Sequence, residues 1–109
     1  MPHYVCLVTF TDQGMGSIGS TTKRAQAFEE IVKELGVTIK YTLWTVGRYD
    51  LVHILEAPDD VTAASMSFSL GALGHVRTET LRGFLREEMD DVLEKVQTPY
   101  DLLKGMKNS

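Results

Sequence analysis

Cysteine is nearly absent from this sequence: Cys6 is the single one among 109 residues. An intramolecular disulfide is therefore excluded, and the apolar run around Cys6 reads as a buried thiol in a reducing compartment. No apolar stretch reaches the length that a membrane helix requires. Met1-Pro2-His3-Tyr4 lacks the basic start and long apolar segment of a signal peptide. The expected location is the cytoplasm, without membrane contact. An excess of basic charge is missing as well: 11 Lys and Arg stand against 15 Asp and Glu, a net charge of -4 mixed along the chain. A nucleic-acid partner is excluded on that ground, because replacing phosphate counterions takes a basic surface. Dense ligand spacings such as C-x-x-C or H-x-x-x-H, a serine nucleophile elbow, a phosphate loop and a zincin motif are all lacking. No metal and no other cofactor is expected.

What is present is the material of one core. Hydrophobic residues make up 43% of the chain, at a length typical of a single domain. The domain is expected to span 1–109, with its core in 3–97 and a fraying tail over 98–109.

Residues 3–10, His-Tyr-Val-Cys-Leu-Val-Thr-Phe, are apolar at both alternating positions and read as a central strand. Residues 11–20, rich in Gly and Ser, read as a flexible loop. Ser20, Thr21 or Thr22 caps a helix whose inward face carries Ala25, Phe28, Ile31, Val32 and Leu35, ended by Gly36. Two strands follow, 37–46 and 51–57, and the break between them is too short for a crossover, so they form an antiparallel hairpin. Pro58, Asp59 and Asp60 start a second helix to about residue 71, with Val61, Ala64, Met66, Phe68 and Leu70 on its inner face. A fourth strand spans 75–82, and a last helix from Phe84 sets Leu85, Met89, Val92 and Val96 along one stripe.

The order is βαββαβ plus a C-terminal helix, an α+β ferredoxin-like pattern with a four-stranded antiparallel sheet. Helices in that topology cover one sheet face and leave the other open. Yet the strands are apolar on both faces, and each such side chain left in water forfeits about 1.5–3 kcal/mol. A second copy packed on the open face is favoured over the chain's own C-terminal helix as the cover. The edge strand 37–46, with Lys40 as its one charged residue, adds an edge that invites pairing. A homo-oligomer is expected.

Trp44-Thr45-Val46-Gly47-Arg48-Tyr49-Asp50 and Glu56-Ala57-Pro58-Asp59-Asp60 resemble the GYD domain family, whose Gly-Tyr-Asp motif falls here on Gly47, Tyr49 and Asp50. Thr11-Asp12-Gln13-Gly14 and Val76-Arg77-Thr78-Glu79-Thr80 are similar to it too, over about residues 3–95. The resemblance implies a ferredoxin-like fold related to dimeric α/β barrels, and it implies no established activity.

Several groups carry candidate chemistry. Gly14-Met15-Gly16-Ser17-Ile18-Gly19 spells G-x-G-x-x-G, but the acid about 20 residues on is missing and a hairpin follows, so nucleotide binding is not expected. At the hairpin, Tyr49 offers a phenol, Asp50 a carboxylate and Arg48 an anion fork, against plain turn chemistry. His75, Arg77 and Glu79 share the open parity of the fourth strand, as an anion site and proton-transfer groups or as a structural ion pair. His53, His75 and Cys6 are weighed as metal ligands and set aside for want of a ligand motif. Candidate catalytic residues are thus His75, Glu79, Tyr49 and Asp50; candidate ligand-binding residues are Arg77, Arg48, Trp44, Tyr49 and His75. A cavity lined by His75, Arg77, Glu79 and Trp44 would mark an oligomeric module for a small-molecule ligand. The alternatives are a small cofactor-independent enzyme or a structural, protein-interaction subunit.

Overall fold

The structure, a computed structural model, describes residues 1–107. Its elements in chain order are β1 (His3–Phe10), a short α1 (Asp12–Gly16), a 3₁₀ turn (Ile18–Ser20), α2 (Thr21–Lys33), β2 (Thr38–Trp44), β3 (Leu51–Glu56), α3 (Asp60–Ala72), β4 (Val76–Gly83), α4 (Arg86–Lys95) and α5 (Pro99–Lys107). The strands form one antiparallel sheet in the order β2-β3-β1-β4, the ferredoxin-like arrangement.

Helix ends follow from local chemistry. Asp59 caps α3 by accepting the Thr62 N–H at 2.8 Å, and that bond holds its carboxyl below the usual range. Gly36, at φ 82°, takes the left-handed turn that ends α2, and Gly74, at φ 85°, does so after α3. The segment 11–20 is not an open loop: Thr11 accepts the Gly14 N–H and starts α1, and Arg24 of α2 donates to the Ser17 carbonyl at 2.9 Å. A strand opens at Val76, so His75 stands just before it.

Alternation along β1 and β3 decides the core. Tyr4, Cys6 and Val8 with Leu51, His53 and Leu55 point toward α2 and α3, where Val32, Val37, Ala57, Ala63 and Met66 complete the buried cluster. The Tyr4 hydroxyl donates to the Asp60 carboxylate, tying β1 to the start of α3.

Two inward faces are narrower than the apolar spacing suggests. On α2, Val32 is buried and Phe28 packs on the core, but Ile31 is exposed, as is Leu35 in the turn after the helix. On α3, Ala63 and Met66 are buried while Val61 and Phe68 are about four-fifths exposed, at 79% and 80%. The reason lies in Ser67, whose hydroxyl meets that of Thr80 on β4 at 2.6 Å. A line of small residues and one hydroxyl pair brings α3 close to the sheet, which turns Phe68 outward.

After Gly83 the chain leaves the sheet. The molecule extends 61 × 28 × 22 Å with a radius of gyration of 18.2 Å, against about 13 Å for a compact domain of some 100 residues. The long dimension is an arm made of α4 and α5, which does not fold back across the open face. Helix α5 occupies the segment expected to fray, up to Lys107; Asn108 and Ser109 lie outside the described residues.

Candidate functional site

The open sheet face is built by the register. Val5 and Leu7 of β1 stand opposite Ile54 and Val52 of β3, which in turn face Tyr41 and Leu43 of β2; Leu81 of β4 lies across from Val5. These seven side chains form an apolar band on which Tyr41, Leu43 and Leu81 are exposed. Polar clusters close both ends. At one, His3 Nε2 lies 3.0 Å and Lys40 Nζ 3.7 Å from the same Glu56 oxygen. At the other, the Tyr49 hydroxyl donates to Glu79 at 2.9 Å. An apolar centre with a polar rim is the anatomy of a protein interface.

The Gly47-Arg48-Tyr49-Asp50 turn supplies that second rim. Gly47 sits at φ 144°, a conformation that favours glycine. Asp50 continues the pairing beyond Leu51: its N–H donates to the Val8 carbonyl and its carboxylate accepts the Phe10 N–H at 2.8 Å. Thr45 closes the turn, with its N–H on the Asp50 carbonyl and its hydroxyl on the Tyr49 carbonyl at 2.6 Å. Tyr49 is thereby laid over the sheet toward β4, where the Glu79 hydrogen bond pushes its phenol above the ordinary value. The Arg48 guanidinium lies 5.6 Å from the Tyr49 ring centroid.

Of the residues singled out in the sequence, the fold brings together Arg48, Tyr49 and Glu79. Asp50 is turned toward β1 as a backbone acceptor. His75 offers its main-chain carbonyl to the Thr11 N–H at 3.1 Å. Arg77 is exposed on the edge strand β4, and its guanidinium reaches toward Gly71 of α3, beside an open cleft of about 480 Å³ lined also by Ala64, Ser67, Phe68 and Thr80. Trp44 lies on the opposite edge strand, its indole N–H donating to the Thr21 hydroxyl at 3.0 Å. Arg77 and Trp44 therefore stand on different edges and line no common space.

The polar group that sequence reasoning valued least is the most enclosed. His53 is buried, its Nδ1 3.0 Å from the Thr42 hydroxyl and its ring 5.7 Å from that of Phe28. Burial pulls its pKa down to about 4, so the imidazole is neutral. It lines a cavity of about 60 Å³ with Phe28, Leu51 and Val76. The signal was its parity, shared with Leu51 and Leu55. Cys6 lies opposite His53 in the register and is fully buried, which raises its thiol pKa. His75 is not with them, and among the described residues no three His, Cys, Asp or Glu side chains are grouped to hold a metal ion. No helix among those residues is long and apolar enough to cross a membrane.

An antiparallel four-stranded sheet, helices on one face and a rimmed apolar band on the other define an α+β, ferredoxin-like domain with one face unshielded. The family model of the GYD domain matches residues 4–93, and the chain belongs to that family. It is 32% identical over 82 residues to the "Glutamine synthetase and cystathionine beta-lyase binding protein" of Thermus thermophilus, covering 74% of this chain and 86% of that protein. No solved structure matches it.

Proposed function

We propose that this chain is a non-catalytic interaction subunit that self-assembles through its open sheet face, in the manner of dimeric α/β barrels, and binds a metabolic enzyme. The rimmed apolar band carries this reading. The exposed Tyr41, Leu43 and Leu81 and the four half-buried aliphatic side chains beside them would cost several kcal/mol left in water, so a covering partner is favoured. The relative's name describes a protein that binds two enzymes, which supports the second half. Of the candidate catalytic residues Tyr49 and Glu79 meet, while Asp50 and His75 are engaged with the backbone elsewhere, and this favours binding over cofactor-independent catalysis. A small-molecule role keeps two supporting observations, the open cleft beside Arg77 and the cavity lined by His53, whose size admits only a few atoms.

The test has two arms. Native mass spectrometry and light scattering should find the parent oligomeric and an Ile54→Glu chain monomeric but folded. Purified glutamine synthetase and cystathionine beta-lyase, immobilised in turn, should retain the parent chain. A parent that stays monomeric and binds neither enzyme sinks the proposal.

A further inference from the structure

Helix α4 carries an apolar line that none of the described residues covers. Leu85, at its N-cap, Met89, Val92 and Val96, at its C-cap, are all exposed. Their spacing of four, three and four residues is the alternation by which one helix packs along another at a shallow angle. Helices of ten and nine residues such as α4 and α5 are marginal in water without packing. Their partner must therefore be present whenever the chain is folded, a condition that another copy of the chain meets and a transient client does not.

We infer that α4 pairs antiparallel with α4 of a second copy. In that alignment Met89 packs on Val92 of the other chain and Leu85 on its Val96, twice each by symmetry. The flanking positions then place Glu88 of one chain against Lys95 of the other, also twice. Glu88 already holds Arg82 at 2.8 Å, while Lys95 has no ion-pair partner among the described residues. A parallel alignment sets each apolar residue against its own counterpart and leaves both charges facing Leu93 or Tyr100. The sequence of α4 is thus self-complementary in one direction only. Four layers are too few to hold two chains alone, so the pairing rests on the self-assembly proposed above and strengthens it.

Two experiments test the contact on the full chain. Val92→Asp should weaken self-association at least tenfold in sedimentation equilibrium while the sheet's circular-dichroism signal persists. A mixture of Met89→Cys and Val92→Cys chains, oxidised by glutathione disulfide, should yield a disulfide-linked heterodimer, since Cys6 is buried and does not compete. Cross-linked homodimers of each variant alone, or no cross-link at all, would overturn the antiparallel pairing. If Ile54→Glu gives monomers and Val92→Asp changes nothing, the sheet contact stands and the arm contact fails. The converse pattern, monomers from Val92→Asp and no change from Ile54→Glu, would overturn the sheet contact and with it the claim that the arm only reinforces it.

Discussion

Gly14 lies so close beneath the backbone of His75 that a β-carbon there would sit 2.0 Å from the His75 carbonyl oxygen. The same junction is fastened by Thr11, whose hydroxyl donates to the Gly74 carbonyl at 2.6 Å and whose N–H donates to that of His75. Thr11-Asp12-Gln13-Gly14 is thus the clasp between the exit of β1 and the turn leading into β4.

Replacing Gly14 by Ala forces that clasp open and should cost about 1–3 kcal/mol, the range for overpacking. At Gly16 and Gly19 a β-carbon meets nothing within 4 Å, so Ala there should shift stability by no more than about 0.5 kcal/mol. Urea unfolding of the three variants checks this. Equal losses at all three would mean that the glycines serve something other than the packing of Gly14.

Asp50→Ala removes the acceptor of the Phe10 N–H, a partly buried group, and should cost about 1–2 kcal/mol. Asp50→Asn keeps an acceptor oxygen in place and should cost less. A family motif residue that acts on a ligand instead of on the backbone would leave stability unmoved by either change, as measured by thermal unfolding.

Strand order and helix positions were legible because alternation and spacing report which face meets the core: Tyr4, Cys6 and Val8 behave as their parity says. The site was less legible, for a topological reason. Trp44 and Arg77 both read as pocket residues along the chain, yet β2 and β4 fall on opposite edges of the sheet. Spacing in sequence says nothing of that separation. The outward turn of Phe68 escaped for a different reason: the Ser67–Thr80 hydroxyl pair sets the roll of α3, and hydroxyl pairing leaves no trace in an apolar pattern. Tyr49 and Glu79 lie 30 residues apart, and only the path of the turn over β1 joins them.

That pair is open to titration. The phenol of Tyr49 loses its proton less readily because Glu79 accepts its hydrogen bond, so Glu79→Gln should lower its pKa. The difference in phenolate absorbance between the Glu79→Gln and parent chains, followed from neutral to strongly alkaline pH, isolates Tyr49 from the other three tyrosines, among them Tyr4, which burial and Asp60 push up to about 12. Stability should change little, because the pair is exposed. An unaltered titration curve in the Glu79→Gln chain would show that the two side chains do not meet.

His53 links the core to pH. Its pKa falls from an ordinary 6.5 to about 4 on folding because burial penalises the charged ring. The unfolded chain therefore takes up the proton first, and stability rises with pH across this interval. His53's contribution is fully present above about pH 6.5 and is lost as pH falls toward about 4, a swing of roughly 3 kcal/mol for a shift of that size. His53→Gln keeps a partner for the Thr42 hydroxyl and removes the titration. Urea unfolding between pH 7 and pH 4 should then give a shallower slope for the variant than for the parent, and the difference between the curves isolates this residue. Parallel curves would mean that His53 is protonated as easily folded as unfolded, and so that water reaches a ring which the fold places against Phe28.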